Sequence, residues 1–127
     1  MEKHSRFINP FTDFGFKKLF GTEFNKDLLI DFLNQVLDHR EQIKDLTYLN
    51  AEHQGRSNDD RKAIFDVYCE NEQGEKFIIE VQNVYQEFFK DRSVFYATFP
   101  IQAQATKGKK WDYHLKAVYA VGLLNFR

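Results

Sequence analysis

The sequence predicts an α/β protein in which helices flank a mixed β-sheet, with elements in the order ααβββαβ. Three observations lead to this prediction. Apolar residues recur at helical spacing near the N-terminus, two β-prone segments flank a glycine-containing turn at 71–74, and an apolar β-prone run at 116–126 follows a further helical stretch. Because the last strand follows a helical crossover, we expect it to lie parallel to an earlier strand.

Two helices are predicted before the first strand. The first begins at the capping pair Thr12 and Asp13 and stops at Gly21, and the second is capped by Asn25 and ends near Asp38. Both carry apolar residues three or four positions apart, which gives each helix a face for the core. These residues are Phe16, Leu19 and Phe20 in the first helix and Leu28, Leu29, Phe32, Leu33, Val36 and Leu37 in the second.

A hairpin is predicted to form the middle of the sheet. A first strand from Ile43 to about His53 leads through the polar loop 55–62 into two strands joined by a short turn. If that turn is symmetric about Gln73, Asp66 lies opposite Glu80, since each is seven positions away from it. A bulge could shift this register locally.

The predicted register separates the two faces of the hairpin. One face is wholly apolar and is expected to be core; it carries Phe65, Val67, Cys69, Phe77, Ile79 and Val81. The other face holds Asp66, Glu80 and Gln82 among Ile64, Tyr68 and Ile78. Opposed Cβ atoms lie roughly 4.5 to 5.5 Å apart, so the two carboxylates repel unless a cation or a shared proton lies between them. The alternative is that both acids lie on an uncovered sheet face and each pairs with a lysine or arginine.

The last third of the chain predicts a helix and a strand. Aromatic residues at helical spacing indicate helix from about Tyr85 to Ala105, and Pro100 predicts either a bend between about Tyr96 and Pro100 or two consecutive helices. The run 107–110 is predicted to be a loop. The run 116–126 is expected to form a central strand buried on both faces. A buried central strand is an unusual place for a chain to end, so we expect residues 1–127 to be one domain at the front of a longer protein.

Composition limits the class of protein. Hydrophobic residues make up 43% of the 127 residues, which excludes a disordered chain. The single cysteine excludes an intrachain disulfide, and no apolar run predicts a signal peptide or membrane span, so we expect a soluble cytoplasmic protein without a membrane partner. The net charge of −1 argues against a strongly basic nucleic-acid binder. Basic residues still cluster locally, at Lys17–Lys18, Lys90–Arg92 and Lys107–Lys110.

Three stretches resemble one family. They are INPFTDFGFKKLFG at 8–21, IFDVYCENEQGEKFIIEVQ at 64–82 and HLKAVYAVGLLNF at 114–126. Their order and spacing are similar to those of the PD-(D/E)XK nuclease family transposases, also called recombination-promoting nucleases. The resemblance implies a restriction-endonuclease-like core.

The resemblance also implies roles for individual residues. It makes Asp66 and Glu80 the two metal-binding acids and Gln82 the last residue of the catalytic motif, where the wider superfamily often has lysine. Asp13 and Lys17 match an N-terminal Asp-x-x-x-Lys motif, in which the acid completes or orients the metal site. Three further matches lie on the helix after the hairpin, namely Arg92, Tyr96 and Gln104.

The function implied is a Mg²⁺- or Mn²⁺-dependent DNA endonuclease of transposition or recombination. Mg²⁺ and Mn²⁺ prefer hard oxygen ligands, which the carboxylates of Asp66 and Glu80 and a main-chain carbonyl near Val81 would supply. We expect DNA to be the partner, contacted by Lys17, Arg92, Lys109 and Lys110, and we expect a tendency to form homodimers. The competing hypothesis is a catalytically degenerate nuclease-fold module that binds protein or nucleic acid.

Overall fold

The computed structural model describes residues 13–37, 42–53, 63–82, 85–105 and 111–124. The first part contains helix α1 (Asp13–Phe20), a 3-10 turn (Glu23–Asn25), helix α2 (Lys26–Val36) and strands β1 (Leu46–Tyr48), β2 (Glu52–His53) and β3 (Ala63–Ile64). The second part contains strands β4 (Val67–Asn71) and β5 (Lys76–Gln82), helix α3 (Phe89–Ala103) and strand β6 (Val118–Leu124). No helix within these ranges is long and apolar enough to cross a membrane.

The main sheet has four strands in the order β1-β4-β5-β6. Strand β4 is antiparallel to both β1 and β5, whereas β6 is parallel to β5. The helix α3 forms the crossover between β5 and β6, which is why these two strands run in the same direction. The sheet is therefore mixed, and the predicted parallel pairing of the last strand is confirmed.

Helices α1 and α2 cover one face of this sheet. Their apolar side chains Phe16, Leu29 and Leu33 are fully buried in a cluster with alternate residues of the hairpin. Those hairpin residues are Val67, Cys69, Phe77, Ile79 and Val81. The predicted apolar face is thus confirmed for these five residues, because strand side chains alternate between the two faces.

Helix α3 lies on the opposite face. Tyr68 and Ile78 are buried there with Phe65, and the helix contributes Tyr96, Ala97 and Phe99 to the same cluster. The sheet consequently has helices on both faces, as the sequence predicts. This α/β arrangement agrees with the predicted restriction-endonuclease-like core, and α3 covers the face that carries Glu80 and Gln82.

The predicted hairpin register is confirmed. Val67 pairs with Ile79, Tyr68 with Ile78 and Cys69 with Phe77, and the same register continued by one residue places Asp66 opposite Glu80. The turn closes through a hydrogen bond from Gly74 N to Asn71 O at 3.1 Å, with Gly74 at φ 83°. Glycine adopts this left-handed conformation without the steric cost that a Cβ would bring.

The first predicted strand is divided, and this prediction was wrong in detail. Strand β1 pairs with β4 in the main sheet, but β2 pairs with β3 in a separate two-stranded ladder. Between the two ladders, three residues (49–51) on one side face four residues (65–68) on the other. The extra residue is a β-bulge, which kinks the strand between β3 and β4.

The bulge explains why Phe65 does not lie on the predicted face. Its N–H donates to Ala51 O at 2.7 Å, and its ring packs against Tyr68 and Tyr96 on the α3 side of the sheet. One added residue in a strand of period two reverses the side to which every preceding side chain points. Phe65 is therefore buried with Tyr68 rather than with Val67.

The helices and the last strand bring three further corrections. Asn25 precedes α2 as predicted, but its side chain donates to Lys18 O instead of capping the helix. Helix α3 continues through Pro100 as a single helix, so of the two predicted alternatives the one with two consecutive helices is wrong, while a bend near Pro100 stays a prediction. Strand β6 is not central. Among the strands that the structure describes it forms an edge of the sheet, and its side chains alternate between partly buried and exposed along most of its length.

Candidate active site

Glu80 is an acid on a buried strand. Its neighbours Ile79 and Val81 point into the core beneath α1 and α2, so Glu80 itself faces α3. The side chain is only 13% exposed. Removing an ionised carboxylate from water costs on the order of several kcal/mol, so its position here needs a compensating partner.

Asp66 lies at the bulge, directly before β4. Its Oδ2 accepts a hydrogen bond from Val81 N at 2.9 Å. A continued ladder would satisfy Val81 N through a main-chain carbonyl, but Phe65 has turned to pair with Ala51. The carboxylate of Asp66 takes the place of that carbonyl, and this bond fixes Asp66 beside the end of β5.

Arg92 of α3 completes the group. Its Nη2 donates to Gln82 Oε1 at 3.0 Å and lies 3.4 Å from Glu80 Oε2. The guanidinium also lies 5.3 Å from the ring centroid of Phe89 and 5.7 Å from that of Tyr96. Two aromatic rings therefore hold the positive charge over the acid face of the sheet.

Two buried polar atoms in this group have no hydrogen-bond partner among the residues that the structure describes. They are Oε1 of Glu80 and Nε of Arg92. Beside them lies a cavity of about 10 Å³, roughly the space of one water molecule. It is lined in part by Ile78, Glu80, Phe89, Ser93 and Tyr96. An unsatisfied carboxylate oxygen in a protein interior is costly and points to a ligand or a bound water.

The surroundings of Glu80 change its acidity. Burial and, to a smaller extent, the negative charge of Asp66 raise the pKa of Glu80 from 4.5 to about 7, against the opposing effect of Arg92. The two acids therefore resist being ionised together without another cation, as their predicted cross-strand position implies.

These residues fit a hard divalent cation. The orphan oxygen of Glu80 and the carboxylate of Asp66 are the oxygen ligands that Mg²⁺ and Mn²⁺ prefer. Within the described ranges no group of three or more acidic, histidine or cysteine side chains could hold a metal ion. A cation bound by the acid pair would complete its shell with water and the Val81 carbonyl, as suits Mg²⁺, which retains several waters.

Comparison with known proteins decides the family. The profile of the PD-(D/E)XK nuclease family transposases matches residues 10–127. The chain belongs to the PD-(D/E)XK nuclease family transposases. No curated protein and no solved structure gave a match.

Family membership makes the protein nuclease- or transposase-like in general terms. In this PD-(D/E)XK nuclease fold, the structure brings together five of the residues that the sequence singled out: Asp66, Glu80, Gln82, Arg92 and Tyr96. Arg92, expected to contact DNA, is also in contact with Glu80 and Gln82 of the acid motif. Its role toward DNA stays a prediction.

Among the other predicted site residues, Lys17 is the one whose side chain the structure describes, and it lies apart from this group. Lys17 is exposed on α1, which packs through Phe16 on the opposite face of the sheet from Glu80. Asp13 is the first residue of α1, but its side chain lies outside the described part of the structure. Lys109 and Lys110 also lie outside the described residues.

Sequence reasoning missed the ion pair that crosses from the sheet to α3. The open alternative of exposed acids was wrong about Glu80, which α3 covers, but right that it pairs with an arginine. A usable signal was present. Phe89, Arg92 and Tyr96 are spaced to share one helix face, so a helix that packs over the hairpin brings an arginine flanked by aromatic rings toward it.

Proposed function

We propose that this protein is a Mg²⁺-dependent DNA endonuclease that hydrolyses phosphodiester bonds during transposition or recombination. The observation that carries the proposal is the pairing of Asp66 with a partly buried Glu80 whose buried Oε1 has no partner among the described residues. Carboxylates are kept in such a costly arrangement where their chemistry is needed. Family membership supports the same reaction class.

Asp66, Glu80 and the carbonyl of Val81 would hold the cation, Mg²⁺ or Mn²⁺. When bound, such an ion neutralises phosphate charge and lowers the pKa of a water nucleophile. The protein's own contribution is positional. The hydrogen bond from Val81 N orients Asp66, and α3 shields Glu80 from bulk water, which strengthens its electrostatic interactions.

In the proposed reaction a water oxygen bonds to phosphorus while the bond from phosphorus to one ester oxygen breaks. The water loses a proton and the departing oxygen gains one, so the products are a phosphate monoester and a hydroxyl. No oxidant or reductant is required.

A nuclease assay on purified protein tests this proposal. We expect Asp66→Ala and Glu80→Ala each to reduce Mg²⁺-dependent cleavage of duplex DNA by at least about a hundredfold, because each removes a ligand of the charge-stabilising ion. Asp31→Asn is the matched control, since Asp31 is an exposed acid on α2. Cleavage by both alanine variants at the parent's rate, or cleavage by the parent unaffected by chelator, would contradict the proposal.

The second candidate is a degenerate nuclease-fold module that binds protein or nucleic acid without cutting. Arg92 favours it, because an arginine already lies against Glu80 and no lysine occupies position 82. Titration with Mn²⁺ separates the two candidates. An endonuclease binds Mn²⁺ more tightly than its Asp66→Ala variant does, whereas a degenerate module shows no difference between the two.

A further inference from the structure

Arg92 lies against Glu80 and Gln82. At this point the proposed nuclease needs an acid that can bind the metal ion and a positive charge that can meet the phosphate. We propose that Arg92 is an exchangeable counter-cation: in the metal-free protein it holds Glu80 and Gln82, and when Glu80 binds a metal ion it turns to the DNA phosphate. The inference rests on the proposed function and assigns to Arg92 the positive charge that Gln82 lacks.

The contact between Arg92 and Glu80 is loose for a partly buried ion pair. Charge-assisted N–H···O bonds are commonly about 2.7 to 2.9 Å long, whereas Arg92 Nη2 lies 3.4 Å from Glu80 Oε2. Glu80 Oε1 and Arg92 Nε are both buried and lack partners among the described residues. The two groups therefore do not form the bidentate pair that arginine and carboxylate can make, and the acid keeps an oxygen for another ligand.

The guanidinium is held by groups that do not depend on Glu80. It lies over the rings of Phe89 and Tyr96, and Gln82 accepts its shortest side-chain hydrogen bond in this group, at 3.0 Å. Its side chain is 31% exposed, more than twice the exposed fraction of Glu80. Arg92 can thus release Glu80 and remain at the site, and its partly exposed side chain can be reached by a phosphate.

Gln82 explains why such a residue is needed. Glutamine can accept and donate hydrogen bonds, but it carries no charge to offset a phosphate. Arginine donates in a planar fork that matches two phosphate oxygens. The structure joins the two side chains directly, so Gln82 positions Arg92 while Arg92 supplies the charge.

A Mn²⁺ titration without DNA tests the first half of the inference. Removal of a competing cation should tighten Mn²⁺ binding, so we expect Arg92→Gln to bind Mn²⁺ about threefold to tenfold more tightly than the parent. Lys90→Gln is the matched control, because Lys90 is an exposed cation on the same helix. We expect its Mn²⁺ affinity to stay within about twofold of the parent's.

Cleavage assays test the second half. Arg92→Gln should cut DNA about a hundredfold more slowly than the parent with its thermal unfolding retained. Introducing Gln82→Lys into that variant should raise its cleavage rate by at least about tenfold, since the lysine returns a positive charge to the adjacent position. A purely structural role for Arg92 predicts no such rescue.

Arg92→Lys keeps the inference testable if Arg92→Gln does not fold. This variant retains the charge but not the fork, so we expect Mn²⁺ affinity close to the parent's and slower cleavage. Parental cleavage by Arg92→Lys would overturn the inference, as would Mn²⁺ binding by folded Arg92→Gln that is no tighter than the parent's. Absence of Mn²⁺ binding by the parent itself would instead reject the proposed function on which the inference rests.

Discussion

At the scale of single residues, Glu80 carries the largest conflict between folding and function. A well-packed apolar side chain at this point of β5 would serve the sheet better, because a buried ion pair rarely repays the cost of desolvating both charges. The pair with Arg92 is moreover incomplete, since one atom on each partner lacks a hydrogen bond among the described residues. Stability given up at such a position is expected at a functional site.

The pKa of Glu80 makes this cost depend on pH. A folded-state pKa of about 7, above the ordinary 4.5, means that the native protein binds the Glu80 proton more tightly than the unfolded chain does. The stability that the folded protein gains from binding the Glu80 proton is therefore fully present below about pH 4.5 and is lost as pH rises through 7. Without metal, we expect Glu80→Gln to be more stable than the parent at pH 8 by up to roughly 3 kcal/mol.

Urea unfolding of the metal-free proteins at pH 5 and pH 8 measures this difference. The advantage of Glu80→Gln should be much smaller at pH 5 than at pH 8, because Glu80 is largely protonated in the parent at the lower pH. Glu87→Gln, which changes an exposed acid, serves as the control and should not share this pattern. An advantage equal at both pH values would show that Glu80 does not titrate in this window.

At the scale of elements, the hairpin depends on its turn. Asn71 is 7% exposed, and its Oδ1 accepts hydrogen bonds from Gln73 N at 3.0 Å and Glu75 N at 2.8 Å. Its Nδ2 donates to Glu75 Oε1 at 2.9 Å. One buried side chain thus organises the turn that sets the register, and the register places Asp66 opposite Glu80.

We expect Asn71→Ala to lower the free energy of unfolding by about 2 kcal/mol, because it leaves two main-chain N–H groups without their acceptor. Urea denaturation of the variant measures the loss. Gln73→Ala is the matched control, since the side chain of Gln73 is exposed on the same turn, and it should change stability by less than about 0.5 kcal/mol. Equal stability of Asn71→Ala and the parent would show that the turn forms without this side chain.

The bulge before β4 is the second element on which the site depends. It redirects Phe65 to the α3 side and frees Val81 N to bind the carboxylate of Asp66. A regular ladder would pair that N–H with a main-chain carbonyl and leave Asp66 without this anchor. Bulges are common beside active sites for this reason, since they aim a side chain that a regular strand would not.

At the scale of the whole molecule, charge limits how this chain binds DNA. The net charge is −1, and affinity for duplex DNA comes largely from cations that neutralise phosphates. Some cations are already paired, such as Lys26, whose Nζ lies 2.9 Å from Asp45 Oδ1. We therefore expect weak binding by this 127-residue chain, with a Kd on the order of 10⁻⁵ to 10⁻⁴ M that weakens steeply with salt.

Fluorescence anisotropy with a labelled duplex at about 50 and 150 mM salt measures this binding. Lys17→Gln should reduce the slope of log affinity against log salt concentration by about one, because Lys17 is exposed. Lys26→Gln should leave that slope unchanged, because Lys26 is already paired with Asp45. Tight binding that is insensitive to salt would mean that DNA is held by contacts other than these lysines.

The sequence by itself determined those features that depend on neighbours along the chain. Periods of 3.6 and 2 predict α1, α2 and the hairpin, and the symmetric turn predicts the register that places Asp66 opposite Glu80. Local periodicity is reliable here because a slip of one residue would place the carboxylate of Asp66 among the apolar side chains of the core face. The order of elements likewise predicts the parallel pairing of β6 with β5.

Only the tertiary structure decided which distant groups meet. The face of Phe65 depends on a bulge between two ladders, and the exposure of β6 depends on its place at the edge of the described sheet, not on its apolar composition. The pairing of Arg92 with Glu80 and Gln82 depends on how α3 lies across the sheet. Such contacts balance desolvation, charge and packing among segments far apart in sequence, and no local pattern encodes that balance.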